Sequence, residues 1–261
     1  MTNNFSLTYD DMLAFFKAKY YRFGEPGWGP KLRLRFKYFS PDDYYEALVE
    51  RLVTAGCDWA DIGCGRDVFP SYPELARRLA KRCGCLYGID PDANIKENDC
   101  ITDGFQGPIE DCQTDRRFDL VTLRMVAEHI ADPDLAIAKI ATLTKPKALV
   151  VVYTPNRWAP ASLAAGALPF GLHQPIKRLL WGTEERDTFP TVYKLNTRKD
   201  LCSHFQRNGF NEVHFRYLDD CRVSLNYRWL NCLELIFYRA LRSLNRPYFE
   251  NCLLGIYQKC E

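Results

Sequence analysis

The stretch Trp59-Ala60-Asp61-Ile62-Gly63-Cys64-Gly65-Arg66-Asp67-Val68-Phe69 decides how this chain is read. An apolar run ends abruptly on two glycines one residue apart. Glycine lacks a Cβ, so the backbone can turn tightly there and come close to a ligand. Asp61 precedes Gly63 by two residues, at the carboxyl end of the run, where open α/β sheets bind their ligands. Asp90, in LYGIDPD, closes the next apolar run 25 residues beyond Gly65. A carboxylate in that place can accept both hydroxyls of a ribose.

A dinucleotide-binding turn would need G-x-G-x-x-G, and the sixth position is Val68. Asp61 would also repel a pyrophosphate, whereas it suits a cationic amino acid or sulfonium ligand. The residues therefore favour S-adenosylmethionine over NAD.

Working outward, short apolar runs alternate with amphipathic stretches. Trp59–Ile62, Leu86–Ile89, Leu120–Leu123 and Ala148–Tyr153 read as strands, and Pro73–Arg82 and Asp134–Leu143 as helices, the first with a capping box over Ser71–Glu74. Strands as uniformly apolar as ALVVVY belong to a parallel sheet covered on both faces. The expectation is an α/β, Rossmann-like, doubly wound sheet. Beyond the insert that follows, Thr197–Asp200 forms a second capping box, opening a helix that carries Leu201 and Phe205 and that Gly209 terminates. Asn211–Tyr217 and Leu253–Gln258 read as the last two strands, with a helical insertion near Trp229–Leu244 between them.

The flanking regions follow other patterns. Tyr9–Arg22 reads as a helix, Gly24–Pro30 as a break, and KLRLRFKYF (Lys31–Phe39) as an extended segment, because basic and apolar residues alternate. Ser40-Pro41-Asp42-Asp43 opens another helix, with a capping serine, a first-turn proline and two carboxylates at the positive end. The expected organisation is an N-terminal helical cap over residues 1–50 and a binding domain over 51–261, with insertions at about 155–192 and 219–248.

Composition narrows the class. Thirty-five Lys and Arg against 33 Asp and Glu give a net charge of +2, no whole-chain field for gripping nucleic acid. Hydrophobic residues at 47% allow a full core. No apolar run suffices to span a bilayer and the N-terminus resembles no export signal, so a cytoplasmic location is expected, with peripheral membrane contact left open. Eleven cysteines without paired CxxC knuckles read as reduced, packed thiols, and no metal site is signalled.

With these residues in view, the chain resembles the class I S-adenosylmethionine-dependent methyltransferases, in particular the broad small-molecule group. The first motif matches Asp61, Gly63 and Gly65, with Asp67 in place of a third glycine; Asp90 matches the acid ending the second strand. GPIEDC resembles the third-strand loop, RFDLVTLRMVAEHIADP the fourth strand and its helix, with the frequent Glu128-His129 pair, and TLTKPKALVVVYTPN the fifth strand. The resemblance implies a mostly parallel seven-stranded sheet with the last strand antiparallel, plus N-terminal helices and helical lid insertions. It implies a donor, S-adenosylmethionine, released as S-adenosylhomocysteine. The donor's amino-acid end would lie along Gly63 and Gly65 with Arg66 against its carboxylate, its ribose on Asp90 beside Pro91, and its adenine near Ile109, Glu110 and Asp111. Arg124 and Met125 would line the cleft.

Methyl transfer from a sulfonium is an in-line displacement, so the protein must align the acceptor, exclude water and, for a hydroxyl, remove a proton. His129 and His173 are the candidate bases among four histidines. Tyr153, Asn156 and Trp158 are expected on the acceptor side, and the apolar insert Thr154–Pro190 at the position of a lid. The acceptor is expected to be small or lipid-like rather than nucleic acid. The alternatives are a non-catalytic S-adenosylmethionine-binding sensor or structural protein and, further off, an NAD-dependent oxidoreductase.

Overall fold

A computed structural model describes residues 5–22, 24–160, 163, 190–222 and 224–261. Within them are helices α1 (Tyr9–Tyr20), α2 (Trp28–Arg35), α3 (Pro41–Leu52), α4 (Pro73–Arg82), α5 (Pro133–Leu143), α6 (Arg198–Arg207) and α7 (Arg228–Ser243). The strands are β1 (Asp58–Ile62), β2 (Cys85–Asp90), β3 (Asp103–Gln106), β4 (Phe118–Arg124), β5 (Thr144–Pro155), β6 (Phe210–Leu218) and β7 (Cys252–Lys259). They form one seven-stranded sheet in the order β3-β2-β1-β4-β5-β7-β6, six strands parallel and the last antiparallel. That is the expected Rossmann-like, doubly wound α/β fold.

The chain divides into two compact units: Met1–Ala47, Asn156–Pro190 and Tyr217–Cys252 form one, and Leu48–Pro155, Thr191–Arg216 and Leu253–Glu261 the other, as far as their residues are described. In the sheet unit the core is a continuous apolar cluster running through Ala60 and Ile62 of β1, Val121 and Leu123 of β4, Val150 and Val152 of β5 and Ile137 and Ile140 of α5. The register Ile62↔Ile89 and Ile62↔Leu123 aligns the carboxyl ends of β1, β2 and β4, the edge at which open α/β sheets bind ligands.

In the helical unit, α1 starts at Thr8, whose side chain and that of Asp11 make a reciprocal capping box. Leu32 and Phe36 pack against Tyr38, Cys221 and Leu235.

Two sequence expectations are corrected. Lys31–Phe39 is not extended: Trp28–Arg35 is helical, because Leu32 and Phe36, four apart, share an inward face and Arg33 turns into a buried carboxylate. Ser71 does not cap α4, whose N-cap is Tyr72 with no side-chain bond; Pro73 at the first helical position sets the start instead. The edge strand β3 carries no strand signal in the sequence, because DGFQ is short, mostly exposed and lacks apolar alternation. All eleven cysteines are free, six of them buried.

Candidate functional site

Gly63 and Gly65, just past the end of β1, have φ of +74° and +46°, the left-handed region that favours glycine. Gly63 is held by space as well, since a Cβ there would lie 2.1 Å from Val126 Cγ2, in the loop after β4. Its N–H donates to Ile89 O at 2.7 Å, fastening the turn to β2.

Asp90 completes the fastening. Its Oδ2 accepts the Gly65 N–H at 2.8 Å and its Oδ1 the Asp92 N–H at 2.8 Å. A carboxylate has about four lone-pair sites, so each oxygen retains one. Burial raises the Asp90 carboxyl above its ordinary range, and the two backbone N–H groups pull against that rise.

Sequence reasoning missed Asn98. From the turn after β2 its Nδ2 donates to Cys64 O at 3.3 Å and Gly65 O at 3.1 Å, so the glycine corner is held by its carbonyls as well as its N–H groups. A lone asparagine 33 positions away gives no sequence signal for this contact.

Asp61 is almost wholly buried at the end of β1. Its Oδ1 accepts from Thr122 Oγ1 at 2.5 Å, and Thr122 in turn accepts from Trp59 Nε1 at 2.7 Å. Burial pushes its carboxyl up to about 7, against the pull of Thr122 and of the Arg124 charge. Near neutral pH its carboxyl is thus divided between its two protonation states.

The loop after β4 forms a second polar cluster. Met125 takes a φ of +52°, unusual for a side-chain-bearing residue and a sign of local strain, while its N–H donates to Tyr153 O at 2.8 Å. Glu128 is buried: its side chain accepts from Thr154 Oγ1 at 2.9 Å, and Asn196 Nδ2 donates to the same Thr154 oxygen at 2.8 Å. The Glu128 carbonyl accepts the N–H groups of Val192 at 2.7 Å and Tyr193 at 3.2 Å. Burial raises the Glu128 carboxyl, and His129, Thr154 and Arg124 pull it back. His129 follows directly, half-buried, and Arg124 is half-buried at the end of β4.

The remaining expected residues scatter. Arg66 Nε lies 2.9 Å from Glu97 Oε2 in an exposed ion pair. Pro91 and Asp111 are exposed, Glu110 is half-buried, and Ile109 lies within the core. Tyr153 is fully buried. Asn156 spends its side chain on backbone, donating to Glu250 O, ahead of β7, at 3.0 Å and accepting from Trp158 N at 3.1 Å. Trp158 is 64% exposed. His173 and most of the expected lid lie outside the described residues.

A glycine corner and a strand-end carboxylate on this sheet define the class of Rossmann-like nucleoside-binding folds. Residues 34–214 match the methyltransferase domain family, and the chain belongs to it. Its fold is that of the class I S-adenosylmethionine-dependent methyltransferases.

Among curated relatives, a ubiquinone biosynthesis O-methyltransferase of Nitrobacter winogradskyi is 28% identical over 164 residues, 59% of this chain and 57% of that one. One from Rhodopseudomonas palustris is 31% identical over 150 residues, 54% and 55% of the two chains. The match thus spans a little over half the length of these relatives.

Among solved structures, the N-methyltransferase NodS of Bradyrhizobium japonicum, in complex with S-adenosylhomocysteine, is similar with a TM-score of 0.50 and 14% identity, over 97% of this chain and 98% of that one. A chain from a Haloferax volcanii complex of the Trm112 activator with a methyltransferase gives 0.53 and 14%, over 98% and 100%.

Proposed function

We propose that this protein is an enzyme that moves a methyl group from S-adenosylmethionine to an oxygen or nitrogen of a small or lipid-like molecule. Asp90 carries the reading: it bridges the glycine corner through two backbone N–H groups yet keeps acceptor capacity on both oxygens. Those residues fit the donor. Asp90 would take the ribose, the Cβ-free corner at Gly63 and Gly65 its amino-acid portion, and the poised carboxyl of Asp61 suits a nearby cation. Ile109, Glu110 and Asp111 would flank the adenine, and Arg124 and Met125 the cleft.

When bound, the donor supplies a methyl already activated on sulfonium sulfur. The chain's own work is then to position the acceptor, exclude water and accept the proton of a hydroxyl. His129, half-buried after β4 and next in sequence to buried Glu128, is the base we assign within the described residues. The O-methyltransferase names of the curated relatives support oxygen as the acceptor atom.

Titration calorimetry with S-adenosylhomocysteine tests the placement. Asp90→Ala should weaken binding by at least ~1 kcal/mol, through lost charge-assisted hydrogen bonds. An unchanged isotherm, or thermal stabilisation by NADH and not by S-adenosylhomocysteine, would overturn it. Transfer of labelled methyl across a panel of hydroxylated and amino acceptors tests the enzyme assignment; product binding with no turnover would leave a non-catalytic binder.

A further inference from the structure

Helix α7 inverts the usual pattern of a surface helix. Asn231, Leu235 and Tyr238 face the protein, with Asn231 and Leu235 fully buried and Tyr238 packed against the small core around Tyr38 and Cys221. At 100° per residue, the opposite sector holds Trp229, Leu230, Leu233, Ile236, Phe237 and, just past the helix end, Leu244. All six are exposed, from 39% at Leu230 to 70% at Leu244. Singly exposed apolar residues are ordinary, but an unbroken apolar sector along a 16-residue helix marks an interaction surface.

Charge indicates the partner. Exposed Arg228 and Arg239 border one edge of the apolar sector, and exposed Arg246 follows the helix. The helix has one carboxylate, Glu234, and the structure turns it inward, where it accepts from Ser224 Oγ, from Asn231 Nδ2 at 3.2 Å and from Tyr248 OH at 3.2 Å. Beside α7, α2 exposes Lys31 and Arg35 and carries no acid, while its Arg33 is buried against Asp43 and takes no part in the surface charge. An apolar stripe with tryptophan at one end and arginines along its border is the composition of a helix that lies in the plane of a bilayer interface. At 16 residues α7 reaches about 24 Å, short of the ~30 Å hydrocarbon core, and no described helix is long and apolar enough to cross a membrane.

We propose that α7 docks the protein on the surface of an anionic lipid bilayer, its apolar sector sunk among the acyl chains and its arginines on the headgroups. This goes beyond the methyl-transfer reading and stands independently of it. The test is co-sedimentation of the full chain with phosphatidylcholine vesicles, with and without about one-third phosphatidylglycerol. Partitioning should be at least ~10-fold stronger on the anionic vesicles, and a Leu233→Glu, Phe237→Glu double variant should lose at least ~10-fold of it. Arg228→Glu with Arg239→Glu should remove the preference for anionic lipid. Circular dichroism and S-adenosylhomocysteine binding of the variants show that the fold is retained. Absence of partitioning by the unaltered chain, or partitioning that the Leu233 and Phe237 changes leave intact, would overturn the proposal. So would light scattering that finds a dimer dispersed by those same changes, because the face would then belong to a second copy.

Discussion

Two regions of the molecule bury carboxylates, and they treat them oppositely. In the helical unit, Asp43 is fully buried and saturated. Its oxygens accept from Lys19 Nζ at 3.0 Å, Tyr20 OH at 2.9 Å and Ser40 N at 2.9 Å, and Arg33 lies 3.5 Å away. Burial would raise its carboxyl, but Lys19 and Arg33 more than offset this and hold it below the usual range. Arg33 further stacks over Phe16 and Tyr20, 5.4 and 4.7 Å from their ring centroids. In the sheet unit, Asp61 and Asp90 accept hydrogen bonds from a hydroxyl and from backbone N–H groups, with no ion pair to either among the described residues, and both are raised by burial. A carboxylate neutralised by its own chain is architecture. One left raised at a strand's carboxyl end has affinity to offer a ligand.

That contrast can be broken most easily where it is strongest. Asp43→Asn removes the counter-charge that faces buried Arg33 and leaves Lys19 with Glu46, 2.6 Å away, which should cost ~3–5 kcal/mol of stability in urea unfolding. A loss under ~1 kcal/mol would mean the helical cluster is not the structural staple its geometry implies. The next largest effect belongs to the glycine corner. Gly63→Ala forces a side chain into a φ of +74° and against Val126, for an expected ~2–3 kcal/mol loss together with lost S-adenosylhomocysteine binding. Full stability in that variant would show that Val126 gives way and that the corner is not shape-restricted.

Much of the sheet was legible because uniformly apolar strands and helices opened by a proline or a capping side chain leave clear signals. Pro73–Arg82 matches its expected bounds residue for residue. The misreading of KLRLRFK is instructive, because its alternation satisfies a strand on one count and a helix on another. Leu32 and Phe36 are four apart, and the tie is broken by a partner, Asp43, ten residues from Arg33 that no local window weighs. At the site, the glycines and Asp90 announce themselves by type and position. Thr122, hidden in a strand, and Asn98, in an irregular turn, do not, because their roles exist only once distant segments meet. Nor could Asp61's protonation be read, since it depends on burial rather than on spacing.

The state of Asp61 gives the comparison a sign. Its folded value of about 7 lies above the ordinary 3.8, so between those values the folded chain holds a proton that the unfolded chain has released. The stability associated with that proton is therefore fully present below about pH 4 and is lost as pH rises through about 7. Asp61→Asn is neutral throughout. The unfolding free energy of the original chain minus that of the variant should fall from about pH 4 to about pH 7 by at least ~1 kcal/mol, then level off. A difference that is constant, or that grows with pH, would place Asp61 among the saturated carboxylates with Asp43.

The smallest expected effect separates the corner's architecture from its chemistry. Asn98 holds Cys64 O and Gly65 O, so Asn98→Ala removes two hydrogen bonds from the corner, together with the one its Oδ1 accepts from Cys100 N, and leaves both site carboxylates in place. With each corner bond worth about 0.5–1.5 kcal/mol, the variant should lose roughly 1–3 kcal/mol of stability. If the corner must be rigid to receive a ligand, S-adenosylhomocysteine affinity should fall alongside, through the cost of reordering the turn on binding. Asn98→Asp sharpens the outcome, because it keeps the acceptor that takes the Cys100 N–H at 3.1 Å but replaces the amide donor with a carboxylate facing two carbonyl oxygens. It should bind more weakly than Asn98→Ala. Equal affinity in all three chains would mean that Asp90 and Gly65 hold the corner unaided, and that the asparagine belongs with the scaffold.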